Sequence, residues 1–211
     1  MGNKINLEIK ENIAKLRFAD PDNLNPLNKE SAKELLDILE DLKEKDDVRC
    51  IIITGSGRAF SAGGDIKLFK KSIENNTTAQ EMDNLTKDLY KIAYILRLYP
   101  KPIIASVNGW AVGAGMNLAL SCDFIIASDK AKFRQSFSKL GLIPGFAGSI
   151  LLSRQLTWQK ATQMAFFGET YSAEDMDKLG LINEIVPSEK LDETTAQWAK
   201  KLAKGPTLAF A

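Results

Sequence analysis

The amino-acid sequence predicts a single α/β domain spanning residues 1–211, and three observations point to that class. A helical pattern lies between strand-like runs: Ala32, Leu35, Leu36, Leu39 and Leu42 recur at helical spacing before Cys50-Ile51-Ile52-Ile53-Thr54. Helix between buried strands is the mark of a right-handed crossover in a parallel sheet. Residues 101–128, KPIIASVNGWAVGAGMNLALSCDFIIAS, repeat the theme as strand, tight turn, helix and strand. Finally, 211 residues at 45% hydrophobic suffice for one sizeable core, and no shift in composition marks a linker.

Taken in order, 5–10 and 13–18 alternate loosely around Glu11-Asn12 and predict an opening hairpin. Pro21, Asn23, Asn25 and Pro26 make a loop, and the amphipathic helix runs from 28 to about 45. The buried strand 50–54 leads into Gly55-Ser56-Gly57-Arg58-Ala59-Phe60, which is no dinucleotide fingerprint. Phe60 stands at the third glycine position, and the sequence predicts a long loop there, not a helix. Gly63-Gly64 is open backbone, and Asp65 is suited to cap a short helix over 66–71. Met82, Leu85, Leu89, Ile92 and Leu96 step by three and four along a long helix over 79–98, ended by Pro100 and Pro102.

The β-branched run 103–107 reads as a buried strand, broken by the turn pair Asn108-Gly109. Gly113-Ala114-Gly115 stands where a helix over 116–121 should begin. A helix start leaves backbone N–H groups unpaired, and small residues leave them uncovered, so a negatively charged oxygen can approach. Small residues equally let a helix pack tightly on a sheet. Beyond the strand 124–127, the chain leads to a helix through Arg154. Ser172-Ala173-Glu174-Asp175 starts another that Gly180 stops, and a strand over 181–186 and a helix over 189–204 close it.

Composition excludes several function classes. Lys+Arg 28 against Asp+Glu 27 leaves a net charge of +1, which gives no field to recruit nucleic acid or an anionic membrane. No apolar run has signal-peptide or membrane-span length, so the expected location is cytoplasmic. Cys50 and Cys122 read as buried free thiols, and no metal site is expected. With no histidine, Ser-His-Asp and Cys-His catalysis are excluded. Carboxylates, Lys, Tyr, backbone dipoles and water remain.

With GRAFSAGGDIK at 57–67, the stretch 101–128, 137–151 and the later GETYSAEDMDKLGLINEIVP in this order, the chain resembles the crotonase superfamily, the enoyl-CoA hydratase/isomerase family. The resemblance runs from Ile5 to Ala211, and FSKLGLIP is most similar to phenylacetate-pathway enoyl-CoA isomerases. It implies a crotonase-like ββα spiral with helices packed on a small core sheet, an acyl-CoA substrate, no separate cofactor, and a homotrimer or hexamer. It also implies that the N–H groups of Gly64 and Ala114 hold the thioester oxygen as an enolate forms. Ala62, Gly64, Asp65, Ile66 and Lys67 would line the path of the coenzyme, with Ala114, Asn117, Phe137 and Gly145 around the acyl group.

The departures narrow the chemistry. Family members carry acid and base carboxylates after the GAG turn, after the next strand and just after Ile-Pro; here those places hold Asn117, Phe137 and Gly145. None moves a proton as a carboxylate does. Two readings follow: a lyase or isomerase forming a thioester enolate, with decarboxylation among its possible reactions, and a catalytically lapsed acyl-CoA-binding subunit. Asp65 is a cap before it is an acid or base, while Trp110 and Phe137 read as packing residues. Family members also continue past Ala211 with further helices, so truncation of a C-terminal extension is expected.

Overall fold

A computed structural model describes residues 3–210; Met1, Gly2 and Ala211 lie outside it, as do the side chains of Thr78, Ala79, Glu81, Met82 and Leu208. The hairpin of β1 (Ile5–Lys10) and β2 (Ile13–Phe18) opens a six-stranded sheet. Its order is β1-β2-β3-β5-β7-β10, with β3 Cys50–Thr54, β5 Ile103–Val107, β7 Phe124–Ser128 and β10 Glu184–Val186. Every pairing from β2 to β10 is parallel. Side chains of successive strand residues point to opposite faces. Ile51, Ile53, Ile103, Ala105 and Val107 therefore join the main core, while Cys50, Ile52, Ile104 and Ile126 face the other way.

Helices cover both faces, as a parallel sheet requires. On one side pack α1 (Lys29–Lys43), α3 (Thr78–Arg97) and α4 (Ala114–Ser121). On the other, α8 (Leu191–Ala203) supplies Leu191, Ala199 and Ala203. The sequence cues for the helix ends are met. Asn28 and Ser31 form a reciprocal capping box at α1, and Ser172 and Asp175 form another at α7 (Ala173–Lys178). Burial pushes the Cys50 thiol up to about 12 and raises that of Cys122 as well, so both remain protonated thiols in the core.

The structure adds a second sheet that the sequence reading left as loops. It runs β4-β6-β8-β9 through Ala59–Ser61, Trp110–Val112, Lys132–Arg134 and Thr170–Ser172. The stretch after Gly57 is therefore a strand before it is a loop. A further helix, α6 (Trp158–Phe167), also escaped notice, because it buries only Ala161 and Met164 while Trp158, Phe166 and Phe167 face outward. Such a helix shows no inward apolar stripe. The closing strand is shorter than expected, starting at Glu184 instead of 181. Among the described residues no helix is long and apolar enough to cross a membrane.

Candidate functional site

The small sheet places two loops side by side. Strand β4 pairs in parallel with β6, matching Ala59 with Trp110 and Ser61 with Ala111. β4 continues through Ala62 and Gly63 to Gly64, and β6 continues through Gly113 into α4, which starts two residues earlier than the sequence suggested. Gly113 makes this entry with φ 53°, a conformation that favours glycine, and donates its N–H to Arg134 O at 2.8 Å. The loops touch: a Cβ on Gly63, itself at φ 79°, would lie 3.1 Å from Ala114 N. Gly115 packs so closely on β4 that a side chain there would strike Ser61 O. The tight-packing reading of these glycines thus holds.

At this junction the N–H groups of Gly64 and Ala114 find no acceptor among the described residues. Both residues line a cavity of about 190 Å³. Its opposite wall comes from Phe69 on α2 (Ile66–Glu74) and from Leu85, Leu89 and Tyr90 on α3, and its floor from Phe137, Gly145 and Phe146. Among the described residues lining it there is no Asp, Glu, Lys or Arg; side-chain polarity comes from the hydroxyls of Thr86, Tyr90 and Ser136. The residues with raised proton affinity lie elsewhere. Burial lifts the Asp123 carboxyl, which accepts from Ile103 N, and lifts the Tyr99 phenol, and neither residue lines the cavity.

The cavity brings together Ala62, Gly64, Ile66, Ala114, Phe137 and Gly145 from the sequence-based set. Phe137, read also as simple packing, forms wall. Three others stand apart. Asp65 is occupied as the cap of α2, its Oδ1 accepting from Lys67 N at 3.0 Å and Leu68 N at 3.2 Å. It faces an adjoining groove of about 320 Å³ that shares Phe69 and Leu85 with the cavity. Lys67 is exposed and donates to Asn23 Oδ1 at 3.1 Å.

Asn117 lies beneath the cavity, fully buried. Its Oδ1 accepts from Gln135 Nε2 at 2.5 Å, tying in the segment that follows β8, and its Nδ2 donates to Gly145 O at 2.7 Å, holding the loop after Pro144. That loop turns through two left-handed residues, Phe146 at φ 52° and Ala147 at φ 55°. Asn117→Ala is expected to destabilise the fold by about 1–3 kcal/mol, since it strands a buried carbonyl and a buried amide. Urea unfolding checks it; a loss within about 0.5 kcal/mol would show that the loop holds itself.

The sequence reading missed Phe69, Leu89, Tyr90, Ser136 and Phe146. Leu85 and Leu89 were visible in the helical stripe, but their spacing is that of any core-facing helix, and only the fold shows that part of this face is left open.

A family model described as Enoyl-CoA hydratase/isomerase matches residues 8–211. A 1,2-epoxyphenylacetyl-CoA isomerase of Escherichia coli is 36% identical over 203 residues, covering 96% of this chain and 77% of the relative. A short-chain-enoyl-CoA hydratase of Clostridium acetobutylicum is 34% identical over 208 residues, covering 98% and 78%. Among solved structures, an enoyl-CoA hydratase from Bacillus anthracis superposes with a TM-score of 0.90 at 28% identity, covering 97% of this chain and 78% of that one.

Proposed function

Because the chain belongs to the enoyl-CoA hydratase/isomerase family, we propose that it is a lyase or isomerase of acyl-CoA thioesters that gathers enolate charge on the N–H groups of Gly64 and Ala114. The observation that carries this reading is the pair of donors without an acceptor among the described residues, which line one cavity from the segments that directly continue two adjacent strands. When a bond at the carbon next to a thioester carbonyl breaks and leaves its electrons behind, charge moves to the carbonyl oxygen. Fixed donors aimed at that oxygen stabilise the transition state by about 3 kcal/mol each. Here they sit within largely apolar walls, where such dipoles act more strongly than in water.

The adjoining groove beside Lys29, Asp65 and Leu68 supports a path for the coenzyme, because it meets the cavity at Phe69 and Leu85. Outward-facing Trp158, Phe166 and Phe167 on α6 favour self-association, in keeping with a trimer or a pair of trimers, and the proposed setting is the cytoplasm. A second reading is favoured by the missing carboxylate: with none among the described residues lining the cavity, the site would serve a lapsed acyl-CoA-binding subunit, or a decarboxylation, which needs no strong base although its substrate brings a carboxylate of its own. A panel of acyl-CoA substrates followed by mass shift separates water addition, loss of carbon dioxide and no reaction; double-bond movement leaves the mass unchanged and is followed by ultraviolet absorbance.

The reading predicts binding of acetyl-CoA and of a longer acyl-CoA. Titration calorimetry should give a measurable heat, and ligand at 100 times its dissociation constant should stabilise the fold by about 2.7 kcal/mol. Folded protein that gives neither heat nor thermal protection with either thioester would refute it.

A further inference from the structure

We propose that Ser136 is a specificity-determining residue of this cavity, whose hydroxyl reads an oxygen carried by an uncharged acyl group within two carbons of the thioester carbonyl; the proposal rests on the acyl-CoA reading above. Ser136 precedes the single 3-10 turn Phe137–Leu140 at the position where a serine side chain usually caps the backbone. It makes no such bond, and its hydroxyl has no partner among the described residues. It lines the cavity instead, half-buried, with Oγ only 3.3 Å from where a Cβ on Gly113 would stand. Gly113 immediately precedes Ala114, so this hydroxyl lies beside the donor assigned to the thioester oxygen.

Three features set the class of ligand. The cavity volume of about 190 Å³ is on the order of what a benzene-sized group occupies, so the acyl group is short or a single ring. A carboxylate on the acyl group, which a decarboxylation substrate would carry, would be buried among uncharged walls with no cation among the described lining residues to compensate it, so the ligand class taken here is the uncharged one. An apolar acyl group seated against the half-buried Ser136 would strip water from its hydroxyl and leave it unpaired, whereas an ether, epoxide or hydroxyl oxygen on the ligand supplies the partner. Thr86 and Tyr90, which carry the other hydroxyls lining the cavity, belong to α3, whereas Ser136 adjoins Gly113.

The test compares dissociation constants of butyryl-CoA, 2-hydroxybutyryl-CoA, 3-hydroxybutyryl-CoA and methylmalonyl-CoA for the wild type, Ser136→Ala and Ser136→Thr, each checked for folding by circular dichroism. One gained hydrogen bond corresponds to about five- to tenfold tighter binding. The wild type should show that preference for at least one hydroxylated thioester over butyryl-CoA. Ser136→Ala should lose it, read as the ratio of hydroxylated thioester to butyryl-CoA affinity within the same variant, and Ser136→Thr, which keeps the hydroxyl, should retain it. Equal affinities in the wild type, a preference that survives in Ser136→Ala, or tighter binding of methylmalonyl-CoA would each overturn the proposal. Binding of butyryl-CoA in those cases leaves the acyl-CoA reading standing, whereas no binding of any of the four thioesters sinks that reading and this proposal together.

Discussion

Ala114→Pro should cut turnover of whichever thioester the wild type converts by about 10²- to 10³-fold, the cost of deleting one donor to a developing oxyanion. Ala114 is the first residue of α4, the position where proline is best tolerated in a helix. Its N–H serves no bond within the fold, so the substitution removes a donor without breaking a ladder. Gly113 before it sits at φ 53° and ψ −118°, outside the helical region that a following proline disfavours. Affinity for the unreactive substrate analogue should fall far less than turnover, because the neutral carbonyl draws less on the donor than the enolate does. Steady-state rates beside calorimetric affinities make the comparison, and full turnover in a folded Ala114→Pro protein would show that this N–H is not the catalytic donor.

The second large effect concerns Gly145. Proton transfer by a positioned side chain contributes about 10²- to 10⁴-fold, and no carboxylate lines the cavity among the described residues, so the wild type should move a double bond along an acyl chain poorly. Gly145→Asp should raise conversion of 3-enoyl-CoA to 2-enoyl-CoA by a factor in that range. The position can take the side chain. Gly145 is not among the glycines with positive φ, and an added Cβ would stand at ordinary contact distance, 3.5 Å, from Phe137 Cε1. Its carbonyl stays anchored by Asn117 Nδ2. The new carboxyl would face apolar neighbours, which raise its proton affinity toward that of a usable acid and base. The absorbance of the conjugated thioester follows the reaction. Efficient isomerisation by the unmodified protein would show that another group already carries the proton.

The two halves of the molecule differ in how plainly the sequence announces them. Strands β3 and β5 are read directly from CIIIT and IIASV, because a strand covered on both faces must be apolar throughout. The strands of the small sheet are three residues each, AFS, WAV, KFR and TYS, too short for any period to emerge. Gly64, Ala114 and the glycines around them were legible because close backbone approach admits few residue types. Asn117 shows the opposite case: its identity suggested a group facing substrate, and only three-dimensional contacts reveal that its amide is spent on Gly145 O and Gln135. Ser136 left no signal, since a serine before a turn is ordinary turn chemistry.

Because β4 and β6 bond each other directly, the gap between the two donor loops is set by one interstrand spacing of about 4.8 Å, and no side chain at the acid and base positions takes part in fixing it. Phe137 and Gly145 can therefore change identity while the anion-holding frame keeps its dimensions. Asn117, the third of these positions, is tied to Gly145 O and Gln135 and must be replaced by a side chain able to keep those bonds. A lineage built on such a chain can lose one reaction and acquire another through single substitutions, without first rebuilding the place where charge collects. For the engineer the same separation means that new acids and bases can be tried one at a time on a frame that does not have to be redesigned between attempts.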